Sequence, residues 1–246
     1  MPNALSKIDV FILCGGLGTR LRSISKGFPK SMVRINDRPF LDIIINYLAG
    51  FGFKRFILGV GYKADKIAGY YKNNKILGLN ILFSKEDSPL GTGGAVKKAR
   101  RLFKSSTVLI VNGDSFCKFD PLKFLSLHKQ RKAAISILLR KVPEIKDYGS
   151  IKIDKNCRIL GFCEKTNFLK RAWINAGIYA FEKKIFNKMP KKMRFSLETD
   201  FFPKILEEKC FGFVYNDVFI DIGTPERYSR ALDIFDRSSC LWKKLK

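Results

Sequence analysis

Short apolar runs alternate with amphipathic stretches along the first half of the chain. Residues 8–14 are largely apolar and β-branched, end at Gly15-Gly16, and predict a strand buried on both faces. Residues 55–60, 79–83 and 107–111 repeat that pattern and predict three more strands. Residues 40–49 carry apolar side chains at helical spacing and stop at Gly50 and Gly52, a glycine-terminated helix. Further helices are predicted over 64–72 and 95–103, and the glycine-bearing stretches 15–30 and 84–94 read as loops. Strands alternating with helices in this order predict a mostly parallel sheet, because each parallel connection crosses over a face and covers it.

From residue 133 onward the texture changes. Residues 133–141, 150–154 and 158–163 predict strands joined by short polar turns, hence antiparallel. Residues 173–181 predict another strand, 197–208 a helix, and 211–214 with 218–220 a strand pair. Residues 224–235 close as a helix with Pro225 at a favoured early position. No internal repeat, low-complexity tract or long linker intervenes, so the reading is one α/β domain of 246 residues.

Composition narrows the function classes. Hydrophobic residues make up 46% and charged residues 28%, with 22 Phe, which suits a packed core and excludes a disordered or collagen-like chain. No run approaches the roughly 18 apolar residues of a membrane span. The start, Met1-Pro2-Asn3-Ala4, lacks the basic and apolar segments of a signal peptide, so a cytoplasmic location is expected. The six cysteines (14, 117, 157, 163, 210, 240) form no Cys-x-x-Cys pair, and His128 is the single histidine, so no structural zinc site is expected. His128, within Leu127-His128-Lys129, is read as a surface residue. The net charge of +25 attracts nucleic acid, acidic membrane surfaces and phosphorylated small molecules alike. Its lysines are spread along the chain, with short clusters only at 97–101, 183–194 and 243–246. A solvated basic surface is the expectation, with no specific nucleic-acid partner.

The main chemical feature is Leu13-Cys14-Gly15-Gly16-Leu17-Gly18-Thr19-Arg20-Leu21, followed by Pro29-Lys30. A strand ending in a glycine-rich loop brings backbone N–H groups close to a ligand. Arg20 and Lys30 add fixed positive charge suited to a triphosphate. The loop is not a P-loop, since no Gly-Lys-Ser/Thr follows, and not Gly-x-Gly-x-x-Gly, since Leu21 holds the last glycine position.

Together with Pro29-Lys30-Ser31-Met32, this loop resembles the signature of sugar-1-phosphate nucleotidyltransferases. Further similar motifs follow in that family's order: residues 89–95, Pro-Leu-Gly-Thr-Gly-Gly-Ala; Val111-Asn112-Gly113-Asp114; Glu164-Lys165; Asn175-Ala176-Gly177-Ile178-Tyr179; and residues 219–226, Phe-Ile-Asp-Ile-Gly-Thr-Pro-Glu. The resemblance spans residues 8–235. It implies a three-layer α/β/α Rossmann-like fold with a mixed, mainly parallel central sheet, as in nucleotide-diphospho-sugar transferases. Residues 1–246 then form a single domain, with a nucleotide-binding half over about 1–130 and a sugar-phosphate-binding half over about 131–246.

The implied reaction is attack of a sugar 1-phosphate on the α-phosphorus of a nucleoside triphosphate, with pyrophosphate leaving. A phosphate monoester has its second pKa near ~6, so the nucleophile is already largely a dianion and needs no general base. The resemblance implies that Arg20 contacts the β- and γ-phosphates, that Lys30 lies near the α-phosphate, and that Asp114 and Asp221 bind Mg²⁺. Gly18 and Thr19 belong to the nucleotide loop; Leu13, Gly15 and Gly16 pass one side of the base, and Glu86, Gly91 and Thr92 the other. Lys165 holds the sugar phosphate, Glu164, Asn175 and Gly177 the sugar hydroxyls, and Gly113, Tyr148 and Gly149 close that pocket. A carboxylate at Glu86 accepts from guanine N1–H and the 2-amino group together, which uracil or thymine cannot satisfy.

Within the family the resemblance is to the guanylyltransferase branch acting on a D-glycero-D-manno-heptose 1-phosphate, which implies GTP and a product for surface polysaccharide. Mannose- or glucose-1-phosphate enzymes using GTP, UTP, CTP or dTTP are the alternative, as is a catalytically silent relative. Intact Arg20, Lys30, Asp114, Lys165 and Asp221 weigh against silence. Ser31 stands where many relatives have a second proline, and at 246 residues no added C-terminal β-helix or acyltransferase domain is expected. Assembly into a homo-oligomer stays open.

Overall fold

The computed structural model describes residues 4–16, 18–25, 27–144, 149–163 and 170–237. In chain order its first half runs β1 (Asp9–Leu13), α1 (Arg22–Ser25), β2 (Arg34–Ile35), β3 (Arg38–Pro39), α2 (Phe40–Gly50), β4 (Arg55–Val60), α3 (Ala64–Asn73), β5 (Asn80–Lys85), α4 (Gly91–Ala99) and β6 (Thr107–Asn112). The second half runs β7 (Ser115–Cys117), α5 (Pro121–Gln130), β8 (Ile135–Glu144), β9 (Ser150–Ile153), β10 (Ile159–Cys163), β11 (Lys170–Glu182), β12 (Cys210–Val214), β13 (Phe219–Asp221) and α6 (Pro225–Arg237).

Strand β1 lies at the heart of a mixed sheet, in the order β10-β9-β11-β6-β1-β4-β5. It pairs in parallel with β4 on one side and β6 on the other, Leu13 standing opposite Gly59 and Asn112. The chain first steps outward from β1 to β4 and β5, then returns to place β6 on the far side of β1. Loops leaving the carboxyl ends of β1 and β6 therefore diverge, and such a reversal opens a crevice there. Beyond β6, the long β11 runs antiparallel, with β6 on its second half, β9 on its first half, and β8 along both halves.

Alternation along each central strand divides the core into two layers. Val10, Ile12, Phe56, Leu58, Leu109 and Val111 pack on one face with the apolar side of α2. Phe11, Ile57, Val108, Ile110, Tyr179 and Phe181 pack on the other with α4 and Phe201-Phe202. Both faces are covered, which is why these strands read as continuous apolar runs in the sequence. The three-layer architecture expected from the pattern is present.

Several local expectations are corrected. The stretch 15–30 is not all loop, since it holds the turn Thr19–Leu21 and α1. Helix α4 opens at Gly91 rather than at residue 95, because the Phe195 carbonyl accepts from the N–H groups of Gly93 and Gly94 and caps its first turn. A Cβ on Gly93 or Gly94 would overlap the Phe195 ring or the Met193 carbonyl, so these glycines serve helix-to-segment packing. The helix expected over 197–208 is a wide π turn, Leu197–Phe201, followed by a tight 3₁₀ turn, Phe202–Ile205. Pro203 has no N–H to continue a regular ladder there. The expected strand pair does not form: β12 joins β8 in parallel, and β13 pairs with β7.

His128 is not on the surface. It is 2% exposed, its Nδ1 lies 2.8 Å from Ser136 Oγ, and its Nε2 lies 3.2 Å from Glu182. Burial holds its pKa below the usual histidine value. Glu182 pairs with Thr107, the first residue of β6, so this cluster sits at the opposite end of that strand from the crevice. Cys14, Cys117 and Cys210 are buried free thiols pushed up to about 12 by burial, as small core residues would be. Among the described residues no helix is long and apolar enough to cross a membrane.

Candidate active site

The crevice is a cavity of about 440 Å³ at the carboxyl ends of β1 and β6. Leu13, Gly15, Gly16, Gly18 and Thr19 form one wall, Glu86, Gly91 and Thr92 the other, and Lys30, Gly113 and Asp114 line it between them. These eleven residues, separated by up to about a hundred positions in the chain, are all candidates named from the sequence; Asp221, Asn175 and Gly177 are not part of the lining. Arg20 does not line the cavity; it lies on the adjoining Thr19–Leu21 turn with its side chain exposed.

Glu86 is more than a solvated loop charge. Its Oε2 accepts from the Leu90 N–H at 3.0 Å, and a Cβ on Gly15 would come within 2.5 Å of Oε1. Only glycine at position 15 lets this carboxylate rest against the strand end. Burial raises the Glu86 pKa above the usual glutamate value, with the Leu90 hydrogen bond opposing. Thr92 lines the cavity too, yet its hydroxyl donates to Glu198 at 2.9 Å and accepts from the Leu197 N–H at 2.8 Å.

The β7–β13 ladder brings the two aspartates together. Asp221 pairs with Ser115, the residue after Asp114, and the Ile222 N–H donates to the Asp114 carbonyl at 3.1 Å. Lys30 Nζ donates to Asp114 Oδ2 at 2.6 Å and lies 3.5 Å from where a Cβ on Gly223 would stand, so it reaches the Asp221 turn as well. Asp221 accepts from Arg227 at 2.9 Å and from the Gly223 N–H. Among the described residues no three or more His, Cys, Asp or Glu converge as metal ligands. Asp114 lines the cavity and Asp221 stands on the strand paired beside it, outside the lining; two such hard carboxylates fit a cation that takes its remaining oxygens from phosphate and water, as Mg²⁺ does.

Of the residues expected to face the sugar, Asn175 and Gly177 belong to β11 and lean on each other, the Gly177 N–H donating to Asn175 Oδ1 at 2.9 Å. Gly177 has φ of +74°, and a Cβ there would come within 2.6 Å of Asn112 Nδ2. This positive φ coincides with the register shift in the β11–β8 pairing between Asn175 and Tyr179. Gly149 stands exposed just before β9. Tyr148, Glu164 and Lys165 lie outside the described residues.

Sequence reasoning does not single out several groups that the fold delivers. Asn112 and Ser31 line the cavity, and Asn112 Oδ1 is a buried acceptor with no protein partner among the described residues. Ser31 lies against the Cys14 thiol. Arg227, six residues beyond Asp221, neutralises that carboxylate. Asn112 could have been found from its place inside Val-Asn-Gly-Asp; Glu198 and Arg227 had no local signal.

A mixed sheet with a glycine-rich loop, a lysine and two carboxylates at its switch point is a site for joining phosphates. The chain belongs to the nucleotidyl transferase family, whose model matches residues 9–236. It is 40% identical over 225 residues to D-glycero-alpha-D-manno-heptose 1-phosphate guanylyltransferase of Campylobacter jejuni, covering 92% of this chain and 99% of that one. It is 39% identical to the enzyme of the same name from Aneurinibacillus thermoaerophilus, covering 91% and 96%. The crystal structure of HddC from Yersinia pseudotuberculosis complexed with GMP-PN matches with a TM-score of 0.83 at 38% identity, over 93% of this chain and 99% of that one.

Proposed function

We propose that this protein transfers GMP from GTP to D-glycero-D-manno-heptose 1-phosphate, releasing pyrophosphate and giving a GDP-activated heptose for surface polysaccharide. The observation that supports it best is the pairing of Lys30 with Asp114 in a cavity that Glu86 also lines, with Asp221 on the adjoining strand, in a chain 40% identical to an enzyme of that name. The sugar phosphate, largely dianionic at neutral pH, attacks the α-phosphorus in line without a base. The site therefore needs no histidine, and His128 lies at the far end of β6. Its work is to hold two mutually repelling anions together and to offset charge in the transition state.

Lys30, which lines the cavity and pairs with Asp114, would meet the α-phosphate. Asp114 and Asp221 would hold Mg²⁺, which supplies further neutralisation of phosphate charge when bound. Arg20 on the rim turn takes the outer phosphates, and Gly15, Gly16, Gly18 and Thr19 supply the loop against which the triphosphate lies. Asn175 and Gly177 offer the sugar wall, joined by Gly113, Tyr148, Gly149, Glu164 and Lys165. Pyrophosphate release with Mg²⁺ tests the reading, pairing GTP, UTP, CTP, ATP and dTTP with heptose-, mannose- and glucose-1-phosphate. Release with GTP and the heptose phosphate alone is expected; release with another pair overturns the substrate assignment, and none with any pair overturns the activity.

Glu86 carries the base choice in this reading. Glu86→Gln keeps the shape but puts an amide N–H₂ where a second acceptor was, so it should weaken GTP by about tenfold or more and narrow its advantage over UTP. Unchanged nucleotide preference would remove Glu86 from the role. The raised pKa also sets a pH signature. Guanine needs the carboxylate, which is lost as pH falls through a pKa lying above the ordinary glutamate value. KM for GTP should therefore rise with acidification earlier than a free glutamate would dictate, and Glu86→Gln should flatten that limb.

A further inference from the structure

Thr92 on the nucleotide wall and Asn175 on the sugar wall are joined by a half-buried chain of hydrogen bonds through Tyr179 and through Glu198, a residue that no motif marks. Glu198 Oε2 accepts from Thr92 at 2.9 Å and from Ser196 at 2.8 Å. Its other oxygen, Oε1, accepts from the Tyr179 hydroxyl at 3.1 Å. Tyr179, fully buried, accepts in turn from Asn175 Nδ2 at 2.7 Å. Three hydroxyl donors thus converge on one carboxylate, and every donor is used.

We infer that Glu198 is a positioning residue that couples the two substrate subsites, setting the Thr92 hydroxyl on one side and, through Tyr179, the Asn175 amide on the other. This rests on the proposed placement of nucleotide and sugar against those walls. The local backbone supports it: Glu198 sits in the π turn Leu197–Phe201, a geometry that recurs at functional sites. Ser196 caps that turn by accepting from the N–H groups of Glu198 and Thr199. The Leu197 N–H returns to Thr92 Oγ1, so the turn and the nucleotide wall are locked in both directions.

Asn175 is left with one amide hydrogen and one oxygen lone pair after its bonds to Tyr179 and Gly177, enough to meet a sugar hydroxyl in one orientation. Without the Tyr179 hydroxyl its amide is free to rotate. Without the Glu198 carboxylate neither the Tyr179 nor the Thr92 hydroxyl proton keeps its acceptor.

Tyr179→Phe and Glu198→Gln separate the two arms. The nucleotide arm is read by equilibrium binding of GTP alone, and the sugar arm by KM for whichever sugar 1-phosphate the wild-type protein turns over. Tyr179→Phe should raise the sugar-phosphate KM about tenfold, leave GTP binding unchanged, and leave kcat within about threefold. Glu198→Gln should weaken both arms, and Glu198→Asp should not rescue the sugar arm, because the shorter side chain cannot span to Tyr179. A Tyr179→Phe protein that loses thermal stability with both arms intact would overturn the coupling, as would one in which both arms weaken equally. Where no sugar phosphate is turned over, the GTP arm still decides: binding weakened by Glu198→Gln and untouched by Tyr179→Phe supports the role, and the reverse pattern overturns it.

Discussion

Asp114→Asn should lower kcat/KM by about a hundred- to a thousandfold while leaving the melting temperature within a few degrees. The first half follows from what the carboxylate faces. Asp114 stands beside Asp221 across the β7–β13 ladder and receives Lys30 at 2.6 Å, in the cavity where phosphate charge would build. Removing one group that offsets developing charge commonly costs two to three orders of magnitude, about 3–4 kcal/mol of barrier. The second half follows from exposure. The Asp114 side chain is 41% exposed, and an ion pair that open to solvent contributes only about 0–1 kcal/mol to folding. The backbone bond from Ile222 to the Asp114 carbonyl survives the substitution. Steady-state kinetics across a Mg²⁺ titration, with thermal melting alongside, checks both halves; full activity at ordinary Mg²⁺ would take Asp114 out of the reaction.

The opposite separation is expected at the other end of β1. Asp9 is 1% exposed and accepts from the Arg55 guanidinium, from the N–H groups of Lys104 and Ser105, and from the Ser105 hydroxyl. Asp9→Ala leaves the largely covered Arg55 guanidinium without its carboxylate and two backbone donors unmet, at a cost of about 3–5 kcal/mol. For a chain of this size that lowers the melting temperature by at least about 6 °C. Activity per folded molecule should hold, because Asp9 opens the strand whose far end, about 13 Å away, meets the cavity. Asp9→Leu with Arg55→Met should recover the part due to the stranded charge, since an apolar pair often replaces a buried ion pair without loss. The part due to the Lys104 and Ser105 N–H groups should remain. A single variant as stable as the wild type would show the pair to be dispensable.

The two sites differ in how legible they are in the sequence. Lys30, Asp114 and Asp221 lie in motifs whose resemblance to a family signature implies phosphate chemistry, and the fold brings the three near one another. The apolar runs of β1, β4 and β6 announce strands buried on both faces, and they are the centre of the sheet. His128 misleads because its neighbours in the chain are ordinary helix residues, while Ser136 and Glu182, which bury it, arrive from β8 and β11. The 197–208 segment misleads for a related reason. Its apolar spacing is helical, but Pro203 and the contacts to Thr92 and Tyr179 break it into a wide and a tight turn.

The chain's own pattern therefore determines the strands, the order of helices between them, the glycine-rich turn and the charged groups meant for phosphate, because each is a property of a few adjacent residues and their backbone preferences. Which wall Glu86 faces, how Asp221 comes to stand beside Asp114, and that Glu198 meets both Thr92 and Tyr179 are decided only in the folded molecule. Those contacts join residues up to a hundred and more positions apart, and their energies depend on burial and on partners that no local stretch of sequence contains.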